Sequence, residues 1–291
     1  MDTYDPKVLQ RIQNFACSMV TDLSAACEKH GIQFFGICGT ALGAVRHGGF
    51  IPWDDDIDLG ILRADYDHLK EIFNEELGDR YYLLEAQSDP HFPLPTCWIC
   101  RKGTRFIQDN FKDLQVPLGI YLDIYVMDNL PDAEWLRKWH TRKVWFISKL
   151  MILRGVRKPF LYQKGLLAQA IWLVCGMVHD AMKAAGISPE KLAAWYLKEA
   201  TRYNKKRTKR VGFCADTGPF WHIYDREQTF PLKKLPFADI EIPFPKEPEP
   251  SLHNYFGDHY MQLPPVDKRH AHKPAVLDFG DGRGDVMAEK K

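Results

Sequence analysis

GTALGAVRHGGFIPWDDDIDLGI, residues 39–61, places four aspartates within five positions, Asp54, Asp55, Asp56 and Asp58, directly before the apolar run Leu59 to Leu62. Such a cluster at the edge of a core strand is costly unless something holds it there, because like charges repel and buried ones lose water. In an extended chain, residues two apart share a face. Asp56 and Asp58 then point one way, with Asp54 in the same parity. Ile57, Leu59 and Ile61 point the other way into a core, and Asp55 sides with them. Parallel carboxylates at this spacing suit the gripping of a divalent cation that takes oxygen ligands.

A third carboxylate fits the same task. Asp123 interrupts the apolar run Ile120 to Val126, which otherwise reads as a buried strand. A buried, unpaired carboxylate is expensive, and a metal ion shared with Asp56 and Asp58 would offset that cost. Upstream, Gly39-Thr40 lies between a strand and a short helix, so its backbone N–H groups can meet a phosphate. An anion-binding turn beside metal-holding carboxylates describes a phosphoryl-transfer site. The competing reading is a calcium loop. Counted from Asp54, an EF-hand needs Gly at the sixth place and Glu at the twelfth, where this chain has Leu59 and Asp65.

The rest of the chain sets the frame. Its 291 residues are 45% apolar, enough for a large core, and the net charge of +1 gives no argument for a nucleic-acid partner. Seven cysteines are scattered, with Cys97 and Cys100 the only close pair. No second pair completes a four-ligand zinc site, so buried thiols in a reducing compartment are expected. The opening MDTYDPKVLQ lacks a basic region followed by an apolar stretch, and no apolar run reaches the roughly 18–20 residues of a membrane span, so a cytoplasmic protein is expected.

Helical spacing of Val8, Ile12, Phe15, Met19, Leu23 and Ala26, with Gly31 behind, predicts a first helix. Strands are expected at 32–38, 56–62, 81–85 and 119–127, short helices at 41–46 and 65–77, and a strand or hairpin at 98–108. Between Trp135 and His179 there is no acidic residue, and the texture is that of two helices around a loop at 155–159. Another helix is expected at 189–203. Short strands follow near Phe213, Phe230 and Ile240, and the polar last dozen residues are expected to be mobile. The pattern predicts an α+β fold with a mixed sheet and a mainly helical addition. Its parts are a catalytic core at 1–130, a helical region at 131–210, and a C-terminal segment at 211–291 that packs back on the core. Leu166 to Val178 is almost wholly apolar behind a basic stretch. It reads as a buried core helix, with an interfacial helix contacting the inner face of a membrane as the alternative.

The quoted stretch resembles the signature of the LicD family, phosphocholine transferases that also resemble fukutin and fukutin-related protein. The resemblance continues at GIYLDIYVMD (119–128), RKGTRFI (101–107), FPLKKLPFADIEIPFP and YFGDHYMQLPPVDKRHAH, and spans about residues 30 to 272. It implies a polymerase-beta-like nucleotidyltransferase core: a Gly-Ser-like turn, alternating carboxylates on one strand, and a third carboxylate on a neighbouring strand. Gly39-Thr40, Asp56 with Asp58, and Asp123 stand in those places, with Thr for the more usual Ser. It also implies Mg²⁺ or Mn²⁺, a CDP-choline donor, and as acceptor a glycan or lipid-linked precursor such as that of lipopolysaccharide or teichoic acid, with CMP leaving. Relatives of this family are diverse, so glycerol phosphate, ribitol phosphate or a sugar phosphate is the alternative cargo, and an inactive binding protein the alternative class.

The expected roles follow. Asp56, Asp58 and Asp123 are the catalytic metal ligands, with Asp54 assisting. Gly39, Thr40 and Arg46 cradle phosphates, Arg46 because its planar fork suits phosphate oxygens. Arg101 is a nucleotide contact or a surface salt bridge. Trp53 either packs or stacks on a base or a quaternary ammonium, with Tyr121 and Tyr125 as weaker candidates. His47 reads as a loop residue. His270 and His272 form a His-x-His with no acidic neighbour in sequence, a weak metal signal.

Overall fold

The computed structural model describes residues 4–159, 161, 163–266, 269 and 271–287. Helix α1 (Pro6–His30) starts at Asp5, whose side chain accepts from the N–H of Lys7, and stops at Gly31 with φ 68. That left-handed cap needs a glycine and turns the chain into β1 (Phe34–Gly36). Helix α2 (Cys38–His47) follows at once and ends at Gly48. The expected Gly39-Thr40 turn is therefore the first turn of α2 itself. The reversal happens one residue earlier, at Cys38, which takes φ 49. Then come β2 (Asp58–Leu62), α3 (Arg63–Glu76), β3 (Tyr81–Leu84), β4 (Cys97–Arg101), β5 (Arg105–Ile107) and β6 (Tyr121–Leu130). The second half holds α4 (Glu134–Gly155), α5 (Gly165–Ala184), α6 (Pro189–Ala200), β7 (Arg210–Phe213), β8 (His222–Asp225) and α7 (Arg226–Thr229). It closes with β9 (Lys233–Phe237), β10 (Ile240–Phe244), α8 (Glu249–Phe256) and β11 (Val276–Asp278).

The main sheet is mixed. Its order is β1-β2-β6-β4-β3, with β7 and β8 joined through the far end of β6. β2 and β6 run parallel, and Asp58 lies in register with Asp123. The other pairs are antiparallel. Of the strand or hairpin expected at 98–108, the strand forms as β4, which pairs with β3 and β6, while β5 leaves the sheet to pair with β11 and makes no hairpin with it. The fold is thus α+β with a mixed sheet, as the pattern predicts.

Adjacent residues of the sheet alternate between two apolar clusters. Phe34 and Val126 join the cluster that holds α1 and α3, and Phe35 and Met127 join the one that holds α4 and α6. That is the period-two alternation of a sheet covered on both faces. Asp281, in the stretch expected to be mobile, instead pairs with Arg11 at 2.7 Å and returns the tail to α1. Residues 288–291 of that stretch lie outside the described residues.

Helix α5 departs from the expectation of a core helix. It is long and apolar enough to cross a membrane by length and composition, yet only 22% of its apolar stretch is buried. The apolar run of 166–178 is shorter than a span, but Gly165 and the residues to Ala184 extend the helix to 20 residues. Cys97 and Cys100 stand three apart on β4, hence on opposite faces, and all seven cysteines are free thiols.

Candidate functional site

The aspartates meet where three chain segments converge. Asp58 is the first residue of β2, and Asp56 precedes it without yet being in the ladder. The alternation still holds, since Ile57, Leu59 and Ile61 are all buried. On the next strand, the N–H of Asp123 donates to Ile57 O at 3.1 Å, which pins β6 beside the cluster. On the other side, Ile37 N–H donates to Asp58 O at 3.1 Å, so the N-terminus of α2 stands next to Asp58. Thr40 completes this joint: its buried hydroxyl accepts the N–H of Asp58 at 2.9 Å. Thr40 thus supports Asp58 rather than facing the open space.

That space is a cavity of about 520 Å³, lined at one end by Cys38, Gly39, Arg46, Asp54, Asp56 and Asp58. Its size is that of a small-molecule site. Gly39 has no side chain for a physical reason: a Cβ there would lie 2.7 Å from Asp54 Oδ2. The N–H groups of Cys38, Gly39 and Thr40 open α2, a helix start with no side-chain cap. The other walls are apolar and aromatic: Leu42, Ile51 and Trp53 from the α2 side, and Tyr255, Phe256, Tyr260, Leu263 and two prolines from the C-terminal segment. Arg46 ties the two sides together, donating from Nη1 to Tyr260 O at 2.7 Å and Gln262 O at 3.2 Å. Its Nε donates to His47 at 3.0 Å.

The electrostatics are those of crowded carboxylates. Burial pushes the Asp58 carboxyl well above its usual range, and the charges of Asp56, Asp123 and Asp54 push it further. Burial raises Asp54 likewise. Asp123 is pushed up to about 8, first by burial and, among charges, by Asp56. Its Oδ1 is sealed from solvent and has no hydrogen-bond partner among the described residues. Asp56 behaves differently. Burial would raise it, but the His272 imidazole, 3.1 Å away, holds it below the ordinary carboxylate range. The Asp56 charge in turn raises His272 well above the usual imidazole value.

These observations bear on a metal. Asp123 does not line the cavity, but it stands in register with Asp58, and its orphaned oxygen with the carboxylates of Asp54, Asp56 and Asp58 makes a donor set of hard oxygens, which fits Mg²⁺ or Mn²⁺. Asp54, Asp55, Asp56 and His272 also offer ligand atoms within 4.8 Å of one another. His272 is the residue that sequence reasoning undervalued. The acidic partner its motif lacked in sequence arrives in space, 217 positions away from Asp55. His270 lies outside the described residues.

Other expected residues sit elsewhere. Arg101 does not line the cavity; it donates to the Tyr81 hydroxyl at 3.0 Å. Tyr121 stacks on Trp98 with centroids 3.9 Å apart, and Tyr125 packs on Phe213 and His222. Trp53 does line the cavity, and the guanidinium of Arg269 lies over its ring at 4.5 Å. Behind Cys38 is a group that carried no sequence signal. Cys38 Sγ lies 3.8 Å from His222 Nδ1, and His222 Nε2 lies 2.6 Å from Asp216 Oδ2. Burial, then the charge of Asp58, holds the Cys38 thiol well above its usual pKa, so it is no ready nucleophile.

Asp55 does not line the cavity, but its Oδ1 lies 3.8 Å from the same His272 Nδ1 that meets Asp56, so the strand parity expected of it does not separate it from the cluster. It accepts from the Tyr4 hydroxyl and, at 3.1 Å, from the backbone N–H of His272. Asp55→Ala is expected to strand the buried Tyr4 hydroxyl and to destabilise the protein by about 1–3 kcal/mol in urea unfolding. Turnover per folded molecule should fall far less than in variants of Asp56 or Asp58. An equal loss would place Asp55 among the reacting groups.

Residues 31–92 match the sequence profile of the family described as LicD/FKTN/FKRP, nucleotidyltransferase domain. Over 278 residues the chain is 37% identical to the lipopolysaccharide cholinephosphotransferase LicD of Haemophilus influenzae, covering 91% of this chain and 96% of that protein. It is also 37% identical over 73 residues to the human ribitol 5-phosphate transferase FKRP, covering 25% of this chain and 14% of that one. An uncharacterised Rickettsia prowazekii protein is 44% identical over 62 residues, or 21% of this chain and 23% of its own.

Proposed function

The chain belongs to the LicD family of phosphotransferases, and from that premise we propose that it transfers phosphocholine from CDP-choline to a hydroxyl of a glycan or lipid-linked glycan precursor, releasing CMP. The observation that carries this reading is one cavity holding both a carboxylate cluster at a helix N-terminus and an aromatic wall. The first suits a metal-bound diphosphate and the second a quaternary ammonium. The core is read as polymerase-beta-like, with the protein working at the cytoplasmic side of the membrane.

The acceptor oxygen attacks the phosphorus that carries choline, and the bond from that phosphorus to the oxygen of CMP breaks. Asp56, Asp58 and Asp123 would hold Mg²⁺ or Mn²⁺, with Asp54 beside them; bound there, the ion supplies charge stabilisation to the diphosphate. The N–H groups of Cys38 and Gly39 and the Arg46 guanidinium orient the leaving phosphate. Thr40 fixes Asp58 through its backbone. Asp123 is the carboxylate assigned to take the acceptor proton.

Trp53 already receives a cation on its ring, that of Arg269, which supports the choline assignment. The match to a ribitol 5-phosphate transferase keeps ribitol phosphate as the second reading of the cargo. Calorimetric titration of CDP-choline, CDP-glycerol and CDP-ribitol with Mg²⁺, alongside CMP release, decides between them. CDP-choline should bind tightest, and Trp53→Ala should weaken it by about 1–2 kcal/mol, roughly tenfold, while sparing CDP-ribitol. Equal losses for both donors would assign Trp53 to packing and remove the choline reading.

A further inference from the structure

Helix α5 sits on the protein by one stripe and turns an apolar stripe outward. Ala168, Gly176, His179 and Met182 are buried, at the spacing of one helix face. Leu166, Ala170, Leu173, Val174, Met177 and Ala181 recur at helical spacing and are exposed. Leu166 is 84% exposed and Leu173 66%. A surface helix normally carries its charge on that face, and this one has no Asp, Glu, Lys or Arg between Lys164 and Asp180.

The helix is tied down along its packed side. Trp172 Nε1 donates to Pro159 O at 2.9 Å, and His179 Nδ1 lies 2.7 Å from Leu153 O. The Arg157 guanidinium packs over Gly176, its Cζ at ordinary contact distance, 3.4 Å, from where a Cβ would stand. These contacts lay α5 against α4 and the loop after it. Crossing a bilayer would break them, so the helix is placed to lie in a surface rather than to span one.

The charge that precedes the helix is positive, and the acid on it, Asp180, is paired with Arg157. Residues 135–179 contain nine lysines and arginines and no aspartate or glutamate. Lys158 and Lys164, in the loop that leads into the helix, are exposed, whereas the exposed Arg142 on α4 lies over the Phe220 ring. Arg157 is paired with Asp180 at 2.8 Å, and Lys138 with Glu134. An apolar stripe beside a cationic fringe complements the boundary of an anionic bilayer, where acyl chains take the stripe and lipid phosphates meet the ammonium groups. A second copy docked by the same face about a two-fold axis would bring two cationic fringes together, which disfavours a dimer.

We propose that α5 docks this protein on anionic membrane surfaces by laying its outward apolar stripe into the lipid interface. This does not rest on the donor assignment. The full chain is sedimented with vesicles of phosphatidylcholine alone and of phosphatidylcholine with phosphatidylglycerol. It should pellet with the anionic vesicles at low salt, much less at high salt, and not with the neutral ones. The double variant Leu173→Glu/Met177→Glu, checked for an unchanged melting temperature, should reduce the bound fraction by roughly tenfold or more. Lys158→Glu/Lys164→Glu, which leaves the stripe intact, should weaken binding and its salt dependence. CMP release measured without vesicles should be the same in all three proteins, so a wrong donor assignment shows up separately. Wild-type protein that stays in the supernatant with anionic vesicles at low salt overturns the proposal. So does a salt-independent dimer that the Leu173→Glu/Met177→Glu change makes monomeric, since the stripe would then belong to a second copy.

Discussion

Asp58→Asn and Asp123→Asn are each expected to cut CMP release by about 10²-fold or more while leaving the protein folded. Both substitutions keep the side-chain shape and remove one charge. The backbone bonds that place them, Ile37 N–H to Asp58 O and Asp123 N–H to Ile57 O, are untouched. What is lost is an oxygen donor for the ion that would stabilise the diphosphate. The stability effect has the opposite sign. The native Asp123 carboxyl is raised to about 8, chiefly by burial, whereas in the unfolded chain it ionises near 4. Between those values the native state binds more protons than the unfolded one, so metal-free stability falls as pH rises from about 4 to about 8. Asp123→Asn removes this group's share of that slope. Melting in EDTA across the range, beside activity with Mg²⁺, measures both effects. Near-normal turnover in either variant would sink the carboxylate site. A wild-type melting temperature that collapses in EDTA would reassign the ion to structure.

The largest loss of stability is expected at Arg63. Its Nε and Nη2 donate to the two oxygens of Asp128 at 3.0 and 2.9 Å, and Asn204 adds a third bond at 2.6 Å. Asp128 is buried. The pair joins the start of α3 to the end of β6 and to the turn after α6. Arg63→Met would leave a buried carboxylate with Asn204 alone, at a cost of about 3–5 kcal/mol. At roughly 2 °C per kcal/mol, the melting temperature should drop by about 6–10 °C. The double variant Arg63→Met/Asp128→Leu should recover much of that loss, because the stranded charge is then gone. Turnover per folded molecule should change little, since neither residue lines the cavity. A single variant as stable as the wild type would mean that water reaches Asp128 freely.

Local physics made much of this protein legible from its sequence. The alternation Asp56-Ile57-Asp58-Leu59 sorts carboxylates from core residues because side chains of an extended chain alternate, and it holds even where the ladder has not begun. Gly31 and Gly48 end helices because only glycine takes φ near +68 without strain. Asp123 stood out as a charge in an apolar run, and its register with Asp58 on the parallel neighbour is the pairing that anomaly required.

Other features were settled only by tertiary packing, because they depend on contacts between distant segments. His272 joins Asp56 from the far end of the chain, and Tyr255, Phe256 and Tyr260 build the aromatic wall from a stretch that the motif resemblance marked without giving its aromatics a role. Arg101 and Tyr121 looked like site residues by motif and by spacing, but packing takes them to Tyr81 and Trp98. Thr40 has the expected hydroxyl and turns it toward the backbone of Asp58. Helix α5 shows the limit most plainly. An apolar helix inside a core and one lying on a surface can share the same sequence pattern, because periodicity records which faces are apolar and not what covers them. Only the packing of α4 and the loop after it against one stripe of α5 left the other stripe exposed.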